Sequence, residues 1–578
     1  MKKLSSYIWE HKLAYLLAIC SLLISVSLDM LSPQLTRHIV DDVITGGEIH
    51  KLKYLLAGIL CIGIGRCIFQ YTKEYTFDVA GAKIMGEMRK NLFDHIQSLS
   101  ADFFDRTGTG ELMSRIKDDI DRIWDGLTFV GMLMIEVVVH TSIVLFCMYS
   151  LSWKLAIIPT ICMALSALIA IVMENKLGAV YESISEENAQ LNTVAEENLA
   201  GVRTVKAFAR EKYEISKFLS HNKRYYDLNM QQSKVFVKYS PYISLITKLL
   251  PLSVLVSGGM LVMQGEITLG TLTAFIEYSM NIVWPMEMLG WLTNSLSSAI
   301  ASNKKLKAIY REVPSVKNPD EPVILSEVKG KIEFANVSFH KADGYEILHD
   351  ISFTIEPGKT LGIMGATGAG KSSLIYLLQR LYDVTDGAIY LDDVDIRKLS
   401  LKQLRSAVSL VMQDVFLFSD TITENVKLGK KALISDKAVQ KAAKAAQAKG
   451  FIERMDKQYE TVIGERGVGL SGGQKQRITI ARALAKKDPI LVFDDSTSAL
   501  DMETEQQIQE TLDKLAGTTK IIIGHRISAL CRADEIIILE NGSIKERGTH
   551  QSLLAQKGLY YQTYQAQYGT ERREQHEC

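Results

Sequence analysis

Apolar positions gather into runs long enough to cross a bilayer over the first 300 residues, then shorten beyond about residue 323 to bursts of strand and helix length. Six runs reach the ~20 residues that a membrane helix needs. They lie near residues 13–35, 54–76, 126–150, 153–173, 240–264 and 269–299. Short connections join the first to the second, the third to the fourth and the fifth to the sixth. The two remaining connections are long, charged and helical in character, and lysine and arginine collect there rather than around Asp41 to Glu48. The positive-inside rule therefore puts the long connections and both termini in the cytoplasm. Leu4 to Lys12, with Tyr7, Ile8 and Trp9, predicts an amphipathic helix at the inner interface.

Past Val323 the periodicity changes. Lys331–Phe339 alternates apolar and polar side chains like a half-buried strand, whereas Thr360–Met364 and Ile490–Phe493 are continuously apolar, as buried parallel strands are. The pattern predicts an all-α six-helix transmembrane domain over 1–312, a proline-bearing linker over 313–330, and an α/β domain over 331–568, which the phosphate-loop motif Gly365–Ser372 makes an α/β P-loop nucleotide-binding domain. A polar tail, 569–578, follows.

Composition adds few constraints. Basic and acidic residues balance at 66 each, which gives a nucleic-acid partner no electrostatic support. Cys20, Cys61, Cys67, Cys147 and Cys162 fall in apolar runs without metal-ligand spacing and read as buried small hydrophobes. The first apolar run lacks a small-residue cleavage site and reads as a retained helix.

Chemistry concentrates in the last third. Gly365-Ala-Thr-Gly-Ala-Gly-Lys-Ser372 follows a buried strand and precedes a helix, the context in which such a loop cradles phosphates. Gly365, Thr367, Gly368, Gly370, Lys371, Ser372 and Ser373 are the candidate ATP-binding residues. Lys371 is suited to the terminal phosphates and Ser372 to Mg²⁺. Asp494, at the end of an apolar strand, is the candidate Mg²⁺ carboxylate. Asp495 stands where a base or water-positioning acid would act, one methylene shorter than glutamate. A misplacement of about 1 Å can cost on the order of a hundredfold in rate, so Asp495 either works through compensating loop geometry or marks a slow site.

With Leu470-Ser-Gly-Gly-Gln474 before a basic helix, the chain resembles the ATP-binding cassette transporters, over nearly its whole length. The resemblance gives Ser471, Gly472, Gly473 and Gln474 the role of completing an ATP site on a second chain. It makes Gln413 the Q-loop and a Mg²⁺ ligand, Gly464–Gly467 the exporter X-loop, Ser498–Asp501 the D-loop and His525 the H-switch. Asp495, His525 and Gln413 are then the catalytic candidates. Phe103–Arg115 and Gly201–Phe208 resemble the two coupling segments of exporters. Six spans and one cassette imply a half-transporter of the multidrug or lipid-exporter type.

Two departures bear on its partner. The family's adenine-stacking aromatic falls at Lys341, with His340 or Tyr345 as substitutes, and Asp495 replaces the usual glutamate. Together they favour a degenerate site in a bacterial heterodimer with a second half-transporter. A homodimer with slow but active sites and an ATP-binding regulatory membrane protein stay open.

The expected activity is ATP-driven, Mg²⁺-dependent export of a hydrophobic or amphipathic drug, lipid or small peptide by alternating access. It is expected in the cell membrane, with the cassette in the cytoplasm. Asp29, Arg66, Glu136, His140, Lys248, Glu277 and Glu287 are ionisable residues within predicted spans. Glu136 shares a helix face with His140, and at 100° per residue Glu277, Trp284, Met288 and Ser295 fall on one stripe. Glu136, Glu277, Trp284 and Met288 are the substrate-contact candidates, with Pro285 a candidate kink.

Overall fold

The structure, a computed structural model, describes residues 4–569 except 342, 343, 498 and 499, with backbone alone for 4, 5, 289, 294 and 466. All of the expected 569–578 tail but Gly569, and the D-loop residues Ser498 and Ala499, lie outside the described residues. The chain divides into two compact units, Met1–Ser98 with Gly108–Glu312, and Leu99–Thr107 with Val313–Cys578.

The first unit is helical. Its long helices are Lys12–His38, Leu52–Ser98, Phe129–Leu151, Trp153–Ala200 and Glu211–Met263. Three of them run to 47, 48 and 53 residues. At about 1.5 Å per residue, 47 residues exceed 70 Å, far beyond a hydrocarbon core of about 30 Å. The charged connections in the sequence are therefore continuations of the spanning helices. The short helix Val202–Ala207 joins two of them. The opening amphipathic segment forms Leu4–Glu10, which buries Tyr7 and exposes Trp9.

Among the described residues, five helices are long and apolar enough to cross a membrane. The sixth predicted span is two helices, Leu269–Asn281 and Val283–Arg311, broken at Ile282. Proline chemistry accounts for the break. Pro285 has no N–H to offer the carbonyl of Asn281 four residues back, and His140 Nε2 donates to that carbonyl instead, at 3.2 Å. The Leu269–Asn281 helix is held at its start by Asp41, which accepts from the Gly270 N–H at 2.8 Å and the Thr268 hydroxyl at 2.6 Å. At its other end the Tyr278 hydroxyl donates to the Met30 carbonyl at 2.7 Å. Cys20, Cys61 and Cys67, expected to be buried, are exposed on this unit, because they lie on outward faces of helices that, in a membrane, the bilayer covers.

Among the described residues the second unit contains ten strands: β1 Ile332–His340, β2 Glu346–Ile355, β3 Thr360–Gly365, β4 Asp386–Leu391, β5 Val394–Asp395, β6 Val408–Val411, β7 Ile490–Asp494, β8 Thr519–Ile523, β9 Glu535–Glu540 and β10 Ser543–Gly548. An antiparallel sheet has the order β2-β1-β4-β5, and a six-stranded sheet the order β10-β9-β3-β8-β7-β6. In the latter, β9, β3, β8, β7 and β6 are parallel. β7 and β8 are buried at every position, as strands covered on both faces are. One core lies between the two sheets, around Phe334, Phe353, Ile363 and Val492. A second lies under the helices, around Phe451, Ile480 and Phe493.

Candidate functional site

Parallel strands deliver their following loops to one edge of the sheet, where ligands of open α/β sheets bind. β3, β8, β7 and β6 are consecutive neighbours. Their C-terminal ends carry Gly365, the His525 loop, Asp494–Asp495 and the Gln413 loop in turn. The result is a cavity of about 430 Å³ lined by Thr367, Gly368, Gly370, Lys371, Ser372, Ser373, Gln413, Asp494, Asp495 and His525. Residues spread over some 160 positions of sequence meet there because of strand order alone.

Local backbone explains the glycines. Gly368 and Gly370 have φ of +84° and +95°, and a Cβ on Gly370 would lie 2.6 Å from Leu348 Cδ2. Gly370 also caps the Lys371–Leu378 helix, whose N-terminal N–H groups and dipole favour an anion. Lys371 is buried, its Nζ donating to the carbonyls of Gly365 and Ala366 at 2.8 Å each. Burial pulls its ammonium below the usual lysine range, against the opposing pull of Asp494 and Asp495.

Asp494 is buried at the end of β7. Burial raises its carboxyl above the usual range, Ser372 lowers it by hydrogen bonding, and Asp495 and Asp414 raise it further. A buried carboxyl beside two more acids and a hydroxyl is a donor set that fits Mg²⁺. Among the described residues no group of three or more His, Cys, Asp or Glu could hold a metal. The set therefore suits an ion completed by phosphate oxygens rather than a protein cage. Asp495 has φ +41°, a left-handed conformation that aspartate tolerates better than most residues, and its N–H donates to the Ile523 carbonyl at 3.0 Å. His525 is held from behind, its carbonyl accepting from Gln567 Nε2 at 2.6 Å.

The signature residues are elsewhere. Ser471 caps the Gly472–Lys486 helix in a reciprocal capping box with Gln474. Neither they nor Gly472 and Gly473 line the cavity.

Phe339, Tyr376, Tyr382 and Asp105 are cavity residues that escaped the sequence reading, whereas Lys341 and Tyr345 were expected near adenine. Lys341 lines the wall together with Tyr345, Phe339, Tyr376 and Tyr382, so aromatic faces are present although the expected position is a lysine. Asp105 also lines it and accepts from the Tyr382 hydroxyl at 2.7 Å. Burial first, then Asp105, pushes that hydroxyl's pKa well up. The Leu99–Thr107 segment thus belongs to the nucleotide-binding unit, with Ser315 Oγ donating to Asp102 at 2.9 Å. Glu505 was missed as well. It is buried and accepts from Thr497 Oγ1 at 2.8 Å and Arg526 Nη1 at 2.9 Å, tying the loop after Asp495 to the loop of His525.

Residues 15–286 match the ABC transporter transmembrane region, and residues 348–498 match the family described as ABC transporter. A putative multidrug export ATP-binding/permease protein of Bacillus subtilis is 34% identical over 97% of this chain and 98% of its own length. The chain belongs to the ABC transporters. An ATP-dependent lipid A-core flippase of Syntrophus aciditrophicus is 33% identical, covering 98% of this chain and 94% of its own. A solved bacterial Atm1-family ABC exporter with ATP bound superposes with a TM-score of 0.84 at 28% identity, over 97% of this chain and 99% of that one. With one transmembrane region and one cassette, this ABC transporter chain is an exporter half-transporter and a multi-pass membrane protein. Its cassette is an ATP-binding domain.

The transmembrane unit rearranges the substrate-contact candidates. Glu136 and Trp284 share a cavity of about 230 Å³ with His140, Asp29, Arg66 and Gln70. Glu277 instead accepts from Ser32 Oγ at 3.3 Å, and Met288 packs on the cluster of Val130, Val137 and Leu292. The stripe meets different partners at successive levels, Ser32 at Glu277, the polar cavity at Trp284 and the Val130 cluster at Met288, because the 11 positions from 277 to 288 rise about 16 Å along the helix axis. Lys73, unremarked in the sequence although it lies in the second run, is buried and donates to Glu136 Oε2 at 2.9 Å.

Proposed function

We propose that this half-transporter exports a hydrophobic or amphipathic substrate, a drug, lipid or small peptide, across the cytoplasmic membrane by ATP-driven alternating access. The observation that carries this reading is the separation within one chain of the phosphate cavity from the Ser471–Gln474 signature. A site that needs both must draw them from two chains.

Within the cavity, Lys371 and the N–H groups after Gly370 neutralise phosphate charge. Ser372, Gln413 and Asp494 would hold Mg²⁺, which supplies charge stabilisation at the transferring phosphoryl. Asp495 orients the attacking water and accepts its proton, and His525 steadies the developing charge. Asp495 is one methylene short and sits on left-handed backbone, which supports a slow site in this chain. On this reading the partner is a different half-transporter whose own cavity this chain's Ser471–Gln474 completes. A homodimer with slow but active sites is the second reading. It is favoured by Tyr345, which lines the cavity and offers a ring to adenine.

The deciding experiment is ATP-dependent transport into inside-out vesicles, with and without a candidate partner, comparing Asp495→Glu with the parent. The degenerate-site reading expects little ATPase from the chain alone and a gain of about tenfold or more on Asp495→Glu. No gain would sink it, and robust ATPase from the chain alone would establish the homodimer.

A further inference from the structure

The cavity in the transmembrane unit is polar where its surroundings are apolar. Four predicted spans supply its lining: Asp29, Arg66, Glu136 with His140, and Trp284. Ionisable groups at membrane depth are expensive and are kept for pathways and sites. Here they come in pairs. Arg66 Nη1 lies 2.5 Å from Asp29 Oδ1, and Lys73 Nζ lies 2.9 Å from Glu136 Oε2. Lys73 is only 1% exposed, sealed behind Glu136, whereas Arg66 is 54% exposed. His140 spends its Nε2 proton on the Asn281 carbonyl.

Two features then narrow the ligand. Asp29 pairs with Arg66 and Glu136 with Lys73, and the exposed Glu74, 4.0 Å from Lys73, lies outside the lining; the cavity's own pairs sum to zero charge, so a singly charged ligand would leave one of their charges uncompensated. A ligand carrying both signs would not. Each sign has a place. Trp284, 40% exposed, turns an aromatic ring toward the cavity beside two carboxylates, which suits an ammonium. Arg66 uses one nitrogen on Asp29 and leaves most of its planar fork for a phosphate or carboxylate. The volume of about 230 Å³ falls below the ~300–1,000 Å³ of drug-sized sites. The cavity therefore takes a head group rather than a whole drug-sized molecule.

We propose that this cavity recognises the zwitterionic head group of an amphiphile, its ammonium against Glu136, Asp29 and the Trp284 ring, and its phosphate or carboxylate on Arg66. The proposal rests on the export reading and deepens it by naming the substrate class.

The test is equilibrium binding of three radiolabelled single-chain probes of equal tail length to the full-length protein in detergent. They are a lysophosphatidylcholine, a lysophosphatidylglycerol and an alkyltrimethylammonium. The zwitterion is expected to bind about tenfold tighter than either singly charged probe. Arg66→Gln and Trp284→Leu are each expected to lower its affinity about tenfold while ATP binding stays intact. Equal affinities, preference for a singly charged probe, or variants that keep ATP binding and lose no affinity overturn the assignment. If Arg66→Gln abolishes ATP binding as well, it is misfolded and Trp284→Leu decides. Transport is a separate arm. Zwitterion binding without ATP-dependent movement in vesicles would defeat the export reading and leave the head-group assignment standing. Transport of some other substrate by a chain that ignores the zwitterion would do the reverse.

Discussion

Gly370 shows how one residue couples backbone to chemistry. Its φ of +95° and the 2.6 Å approach to Leu348 mean that Gly370→Ala must strain both the loop and the first turn of the phosphate-binding helix. The expected cost is about 1–3 kcal/mol, read as a lower melting temperature together with a loss of ATP affinity in equilibrium binding. His550 is a second case, remote from the cavity. Burial lowers its pKa, and its Nδ1 lies 2.7 Å from the Tyr560 hydroxyl. A base whose folded pKa is depressed contributes stability above its unfolded pKa and loses it as pH falls through the folded value. Thermal melts from pH 7 down to pH 5 are expected to show an acid-side fall that flattens in His550→Gln. Single positions of this kind were only partly legible. Gly370 and Lys371 announce themselves by spacing, but the environment of Asp495 does not, since its left-handed backbone depends on where β7 ends against β8.

Helices and loops carry the next layer. Pro285 frees the Asn281 carbonyl and His140 takes it, so the two residues are coupled across helices. His140→Ala leaves that carbonyl unpaired, an expected loss of about 1–3 kcal/mol. Pro285→Ala in the same chain restores a donor and is expected to recover most of it, which a double-mutant cycle of melting temperatures checks. In the cassette, Glu505 bridges Thr497 and Arg526 from the Met502–Asp513 helix. Removing it with Glu505→Ala is expected to lower kcat for ATP about tenfold with little change in KM, because the loops of Asp495 and His525 lose their common brace while the phosphate loop is untouched. Equal changes in both constants would argue against this role. At this scale the sequence was informative where periodicity was strong. β3 and β7 were visible as apolar runs, and the long helices as apolar runs with charged extensions. The break at Ile282 was visible only in part: Pro285 marked a kink, but the His140 donor that satisfies the freed Asn281 carbonyl comes from another helix.

For the whole chain, the consequence of separating Ser471–Gln474 from the phosphate cavity is a division of defects. Ser471→Ala is expected to leave ATP binding to this chain unchanged and to lower the ATPase of the assembled transporter at least tenfold. In a heterodimer, Asp495→Asn is expected to change that ATPase little. Steady-state hydrolysis by the complex beside equilibrium ATP binding by the chain alone distinguishes the two variants. Comparable losses from both would point to identical subunits.

By itself the sequence determined the class of machine: six apolar runs, a phosphate loop in strand-loop-helix context and the ordered motifs that follow it. These are local patterns, set by bilayer thickness, side-chain periodicity and the backbone freedom of glycine. Tertiary structure decided which distant residues meet. Asp105 and Tyr382, 277 positions apart, share the nucleotide cavity, and Lys73 and Glu136, 63 apart, pair at the wall of the membrane cavity. It also decided that Glu277 and Met288 leave Glu136 and Trp284 to face a different set of partners. Strand order and helix packing set those meetings, and neither is a property of any short stretch of sequence.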